Sequence, residues 1–584
     1  MLSIITAATA ETDAERNSGV FARNSAARNG SSGNEQPGYA TRFKGVTWDV
    51  ANWRLTTTKL DQGHYQSRGS VANGYLGINV AAVGPFFELD IPVSGDVING
   101  WPVFSRRQTF ATISDFYSFQ CSINATNFPW LDKYGGDLIS GVPHWSGLIL
   151  DLGDGNFLDA TVKNSTISNF SSTLDMKGGI LTWQYTWSPE KHNGTYDIFY
   201  QLVAHKLHVN QALVRMEITP SGDGNVSVVN VIDGYSAVRT DFKGSGQDGG
   251  AIYTSVNPEG ISNVTAFIYA EVSGTEGVDL SSSSLVDDKP YIHMNGSTIA
   301  QSVNVKLRAG QTTKIDKFVG AASTDGFKNP RQAAKEASAR ALRTGYEESL
   351  KSHIAEWATV FPSDSTEDYT IPRKKWLPLD HHIIEASIVS VVNPYYLLQS
   401  TVSNNALAAV KNAPLNRGSI AVGGLTSDSY GGLVFWDADI WMQPGLVVAF
   451  PEASQIFSNY RVDKYSQALR NAQTQYLSSK NDTYFSPDAA VYPWTSGRFA
   501  NCTATGPCFD YQYHLNGDIG MQIVNNLVTT GDTEHFKSKL FPVYNSIATF
   551  FSQLVEKNGT KWTVTNMTDP VFYLYILSCY QPTN

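Results

Sequence analysis

Charge is scarce in this 584-residue chain: Asp, Glu, Lys and Arg make up 16% of it, 53 acidic against 43 basic, for a net charge of −10. No long Lys/Arg tract interrupts that balance. A phosphate backbone would be repelled by most of such a surface, so no nucleic-acid partner is expected. Beyond the first few residues no apolar run reaches 18, which excludes a polytopic membrane protein and leaves no basis for stable membrane insertion. Cysteine is rare, four in all. Cys502 and Cys508 bracket NCTATGPC, a short loop with a Gly-Pro and no His; it predicts a disulfide closing a surface loop in an oxidising compartment, not a zinc site. Cys121 and Cys579 have no evident partners and read as buried free thiols. The P-loop, HExxH, GxSxG and strand–GxGxxG–helix signatures are all missing, and neither a metal nor a cofactor is expected.

What is present is apolar and aromatic. At 42% hydrophobic and 12% aromatic the chain can bury a core, and its length implies at least two packed units. Low charge combined with many Asn, Ser, Thr and Tyr and 13 Trp is the composition of extracellular carbohydrate-active proteins. Asn-x-Ser/Thr sequons at Asn29, Asn124, Asn164, Asn169, Asn193, Asn225, Asn263, Asn295, Asn481, Asn501, Asn558 and Asn566 point the same way, to a secreted glycoprotein. The opening MLSIITAATA is apolar and ends in small residues but lacks a basic n-region and a full h-region. It reads as a degraded signal peptide, and residues 1–38 as a whole read as a disordered leader.

From 39 to 329 the pattern has period two. LTWQYTW (Leu181 to Trp187), ALVRMEIT (Ala212 to Thr219), NVSVVNVI (Asn225 to Ile232) and VTAFIYAEV (Val264 to Val272) are rich in β-branched and aromatic residues, and Gly-containing turns separate them. This predicts a large N-terminal antiparallel β-sandwich. At Pro330 the period changes: Ala334, Ala337, Ala341, Leu342, Tyr346, Leu350, Ile354 and Trp357 predict one long amphipathic helix, the start of a helical linker over 330–380. From 381 to 570 the segments His381 to Ser400, Glu452 to Tyr476 and Asp518 to Asp532 read as helices, the first kinked or restarted at Pro394 and the last capped by Gly531. Residues 571–584 form an atypical tail. The chain is thus a multidomain β + α protein.

The segment from Gly423 to Ala453 sets Trp436, Asp437, Asp439 and Trp441 between a Gly-rich approach and a helix start. An indole beside a fixed carboxylate suits a sugar, the ring stacking on a pyranose face and the carboxylate accepting from hydroxyls. The plainer alternative is an N-capping Asp and core Trp residues at a helix entry. Two other loops have the same flavour: AVYPWTSGR, with Tyr492, Trp494 and Arg498, and FDYQYHLNGDI, with His514, Asn516 and Asp518. His514 is either a helix-entry or core histidine or a catalytic base, and Asp518 either an N-cap or a site residue.

The blocks RFKGVTWD, WRLTTTKLDQGHYQSRGSVANGYLGI, FSRRQTFATI, NFPWL, SGVPHWSGL, SHIAEWATV and GLTSDSYGGLVFWDADIWMQP resemble the fungal acid trehalases of glycoside hydrolase family 65, and the resemblance runs from Arg42 to Pro570. It implies a β-sandwich, a helical linker and an (α/α)6 barrel, incomplete in this chain. It also implies inverting hydrolysis of the α,α-1,1 bond of trehalose by two carboxyl groups on opposite sides of it. The family's sugar-binding Trp-Asp pair matches Trp436 and Asp437, and Tyr492, Trp494, Arg498, His514 and Asp518 fall in loops lining the same barrel mouth. The implied location is secreted, in the cell wall or periplasm, or vacuolar. The chain departs from the family where the general acid, a Glu, is expected two residues after Pro570: Phe572 stands there and cannot donate a proton. The tail VFYLYILSCYQPTN reads as a retained intron or a variant C-terminus, and the chain as given is expected to be inactive. Two other functions remain open: a disaccharide phosphorylase of the same family, and a non-catalytic carbohydrate-binding or cell-wall protein on the same scaffold.

Overall fold

The computed structural model describes residues 38–91, 108–120, 135–411, 413–415, 417–473, 485–501, 503, 511–565 and 567. Among the described residues two large antiparallel sheets, with two minor ones of three and two strands beside them, form the N-terminal part. The larger has eleven strands, in the order Tyr39–Ala40, Val46–Asp49, Arg54–Thr57, Ile167–Asp175, Ile180–Trp187, Tyr196–Ala204, Gln211–Pro220, Thr313–Ser323, Ala266–Gly274, Ala251–Pro258 and Thr240–Asp248. The smaller has five: Asn156–Leu158, Leu148–Gly153, Gly224–Ile232, Ile299–Leu307 and Val278–Leu285. Period-two patterning fixes the register. Leu181, Trp183, Tyr185 and Trp187 stand opposite Leu202, Tyr200, Ile198 and Tyr196, all buried. They share one core with Val228 and Val303 of the smaller sheet, so the β-sandwich expected from the sequence is the fold observed.

The helical switch falls at Pro330, where Asn329 caps the first turn by accepting from the Gln332 amide. The single long helix expected there is two, Pro330–Thr344 and Tyr346–Val360. Gly345 separates them at φ +82°, a backbone conformation that breaks the helical ladder at little cost only for glycine. The first helix lies directly on the Thr313–Ser323 strand; a Cβ on Gly320 would stand 2.0 Å from the Ala334 carbonyl.

The His381–Leu398 helix runs unbroken through Pro394. The long helix expected after Glu452 divides at Lys464 into Pro451–Asp463 and Tyr465–Ala472. The last predicted helix starts earlier than expected, spanning His514–Thr530, and ends on Gly531 at φ +68° as expected. A further helix, Phe541–Leu554, leads into a small hairpin, Glu556–Asn558 with Lys561–Thr563. Among the described residues no helix is long and apolar enough to cross a membrane.

The helical part is tied to the sandwich by buried polar contacts. Lys206, 0% exposed, donates to the carbonyls of Leu398 and Thr401 at 2.7 and 2.9 Å, closing the C-terminal end of the His381 helix, and its ammonium lies 4.7 Å from the Trp357 ring centroid. Asn79 donates to the Thr426 carbonyl at 2.5 Å and Trp48 to the Ser387 hydroxyl at 3.1 Å. These contacts anchor the chain that leads up to Trp436.

Candidate functional site

The approach to Trp436 is a tight loop. Tyr430, Gly431 and Gly432 have φ of 54°, 69° and 61°. The two glycines also lack room for a side chain, since a Cβ would meet Leu138 at 2.7 Å from Gly431 and Ile139 at 2.4 Å from Gly432. Val434 then pairs with Ser496 in an antiparallel bridge, which brings the Trp494 loop alongside. After Trp436 the chain enters one π-helical turn, Ala438–Met442, before the Gln443–Val447 helix; such wide turns re-aim side chains and recur at functional sites.

Asp437 holds the N-cap position of that turn, yet its carboxylate accepts no capping hydrogen bond. The plainer role considered for it, an N-cap, is therefore not the one it plays. Its carboxylate meets no partner side chain among the described residues, and burial raises its pKa. The half-buried Trp436 ring lies 5.8 Å from that of Trp441, itself 63% exposed, and 5.8 Å from that of His514, which stands perpendicular to it.

His514 is the first residue of its helix and is held from both ring nitrogens, Nδ1 to Asp518 at 2.7 Å and Nε2 to Gln512 at 2.9 Å. Asp518 lies inside this helix, one turn after His514, and is not the N-cap considered for it. Asp439, the next carboxylate of the Trp436 segment, is 1% exposed and pairs with Arg461 through contacts of 2.5 and 3.2 Å. Burial pushes the Asp439 carboxyl up, Arg461 opposes that, and the charges of Asp518 and Asp437 reinforce it. Asp439 thus lies within electrostatic reach of both Asp437 and Asp518, with Arg461 as its direct partner.

Tyr492 completes the support. Its hydroxyl donates to the Arg461 carbonyl at 2.7 Å, its amide donates to Asn516 at 2.8 Å, and its ring centroid lies 5.7 Å from the guanidinium. Trp494 packs against Phe435 at 5.2 Å with its indole N–H buried and unpartnered among the described residues. The structure therefore groups Trp436, Asp437, Tyr492, Trp494, His514 and Asp518. Arg498 turns away to the sandwich, where it grips Asp325 at 2.6 and 2.7 Å and the Asp115 carbonyl at 3.3 Å.

Arg461 was not anticipated; the signal for it is an arginine on the apolar face of a helix beside Ile456, Phe457 and Tyr460. Two clefts of about 530 and 580 Å³ open on the sandwich, lined among others by Asp151 and Lys289 and by Arg54 and Asp175, and neither is lined by the Trp436 cluster. Among the described residues no group of three or more His, Cys, Asp or Glu is placed to hold a metal ion. The sequons at Asn164, Asn169, Asn193, Asn225, Asn263, Asn295 and Asn558 are exposed and Asn501 is half-buried. Asn29, Asn124, Asn481, Asn566, all four cysteines, Phe572 and the tail lie outside the described residues.

Residues 55–360 match the glycosyl hydrolase family 65 N-terminal domain, and 404–576 match the family 65 central catalytic domain. The chain is 97% identical over 573 residues to the cell wall acid trehalase of Arthroderma benhamiae, covering 98% of this chain and 54% of that protein. It is 58% identical over 536 residues to the acid trehalase of Emericella nidulans, covering 92% and 51%. A solved candidate kojibiose phosphorylase from the human microbiome shares the fold, with a TM-score of 0.67 at 13% identity over 90% of this chain and 62% of that one. The chain spans about half the length of the curated relatives it matches.

Proposed function

The chain belongs to glycosyl hydrolase family 65, and from that membership we propose that it is the sugar-binding half of a secreted α,α-trehalase, which hydrolyses trehalose to glucose with inversion. The observation that carries this is the state of Asp437: partly buried, making no capping hydrogen bond and without a partner side chain among the described residues, beside an indole packed against His514 and Trp441. A carboxylate in that condition has lone pairs free to accept hydrogen bonds from sugar hydroxyls, and the indole offers the apolar face of a pyranose a surface to stack on.

Inverting hydrolysis requires two carboxyl groups across the bond, one to protonate the leaving oxygen and one to activate water. Among the described residues Asp439 is committed to Arg461 and Asp518 to His514, which leaves Asp437 for the substrate. Where the family places the proton donor, two residues after Pro570, this chain carries Phe572, a position outside the described residues. A cell-wall or secreted location is supported by the names of the relatives and by the exposed sequons.

Calorimetric titration of the chain with trehalose tests the proposal. Saturable binding, with maltose and sucrose weaker, is expected. No heat of binding at tens of millimolar trehalose would overturn it. The hydrolytic reading over phosphorolysis rests on the two trehalase relatives, and glucose 1-phosphate as a product in phosphate buffer would reverse it.

A further inference from the structure

The loop that carries Trp494 is fixed from the sandwich side as well as from the helical side. Past Ser496 it runs over the paired strands Tyr117–Gln120 and Gly136–Ile139. Asp137, on the second of these, accepts the Phe499 amide on Oδ2 at 3.1 Å. Gly497 presses so closely on the same carboxyl group that a Cβ there would stand 2.6 Å from Oδ2 and 3.0 Å from the Tyr117 ring. Tyr117 in turn donates to the Gly432 carbonyl at 2.6 Å, beside the approach to Trp436. Tyr117, Ile139, Leu433, Phe435 and Trp494 form one buried cluster against which Trp436 packs. A sandwich carboxyl and a sandwich phenol therefore hold the two loops that make the candidate sugar site.

The carboxyl of Asp137 is an unusual tether. The residue is 0% exposed, and its Oδ1 has no hydrogen-bond partner among the described residues. Neither nearby cation bonds to it directly. Lys464 donates to the Arg498 carbonyl at 2.7 Å, and the Arg498 guanidinium grips Asp325. The other groups facing it are Asp115 and Tyr117 from the sandwich and Tyr460 from the Pro451 helix, none of them cationic. An ionised carboxylate so placed would lie out of water, held by backbone amides (of Phe499, Asp137 itself and Arg498) and by no partner side chain among the described residues, a costly arrangement that protonation relieves. Burial accordingly pushes Asp137 up to about 6, with the amides of Phe499, Asp137 itself and Arg498 and the charge of Lys464 opposing.

We propose that Asp137 is a positioning residue of the sugar site: in its protonated form it seats the Trp494 loop on the sandwich, and its ionisation loosens the loop and weakens sugar binding. The second half of this rests on the sugar-site reading above; the first half does not. The sign follows from the carboxyl being harder to ionise docked, at about 6, than at its ordinary 3.8 in an undocked chain. Docking is favoured at acid pH and weakened as pH rises from about 4 through about 6, by up to about a hundredfold in the docking equilibrium.

Hydrogen exchange at the Phe499 amide, corrected for the intrinsic pH dependence of exchange, measures seating directly in the full chain, and a parallel titration measures the Kd for trehalose. In the wild type, protection is expected to fall at least tenfold between pH 4 and 6, with the trehalose Kd rising in step. In Asp137→Asn, which keeps the acceptor and loses the titration, both are expected to stay level. Equal protection of the wild type at the two pH values, or the same step in Asp137→Asn, would overturn the proposal. Should the variant not fold, the wild-type profile decides: a fall that begins near pH 4 and levels off near 6 supports the proposal, and no fall between pH 4 and 6 overturns it. A loop step in a chain that binds no trehalose at any pH supports the seating role and overturns the sugar site.

Discussion

Asp439 and Arg461 show how one residue can look functional and be structural. The pair is buried to 1% and 2%, and Arg461 carries a guanidinium nitrogen with no partner of its own among the described residues. Removing one partner leaves the other charged and dry, so Arg461→Met is expected to cost about 3–5 kcal/mol, read as a fall in the urea midpoint at pH 7. A fall no larger than that of a surface Arg→Met control would mean that the pair is solvated. Only half of this was legible beforehand: the acidic run of Trp436, Asp437 and Asp439 stands together in the chain, whereas Arg461 lies 22 residues further on and meets Asp439 through helix packing. The same limit applies to Asp518. Its place before an apolar run suggested a cap, but the helix begins at His514, and the i, i+4 spacing turns Asp518 into the partner of the histidine.

At the scale of elements, breaks were harder to read than periods. The alanine-rich face after Pro330 continues smoothly past Gly345, yet the backbone at that glycine departs from the helix, so apolar spacing alone extended one helix across two. Gly345 has nothing within 4 Å of its missing Cβ, so Gly345→Ala is expected to cost only the backbone penalty of its positive φ, about 1–3 kcal/mol. Gly432→Ala should cost considerably more, because a positive φ and the Ile139 side chain oppose it together, and it should also displace Trp436. Thermal melts of the two variants check the order. A Gly432 variant as stable as the Gly345 variant would mean that the approach loop repacks freely. The strands, by contrast, were legible because their alternation is also their burial: the residues of Ile180–Trp187 that the pattern turns inward are the ones in the core.

Across the whole molecule, what no local pattern encodes is the junction. Lys206, Asp137 and Arg498 each bond across more than 170 residues of sequence. Composition and period gave the two parts, and these contacts orient them. The junction also has a pH dependence of its own. His353 accepts the Lys206 amide on Nδ1 at 2.9 Å, which fixes the neutral ring, and burial pushes His353 down to about 3 and His144 down to about 4. Both are neutral when folded and take up protons when unfolded below about 6.5, so the stability they confer is complete above that value. It is lost as pH falls toward 4 and 3, on the order of 2–4 kcal/mol for each imidazole. His353→Gln is expected to flatten the fall in urea midpoint between pH 6.5 and 4; an unchanged slope would place the acid sensitivity elsewhere. This global trend runs opposite to the local one at Asp137, which is why seating has to be read at the Phe499 amide. The most direct measurement of the central claim is the trehalose Kd of the wild type against Trp436→Ala and Asp437→Asn at pH 5. Loss of stacking or of a charged hydrogen bond, each about 1–3 kcal/mol, should weaken binding roughly 5- to 150-fold in either variant with the fold intact by circular dichroism. Unchanged affinity in both would contradict the placement of the sugar at this pair.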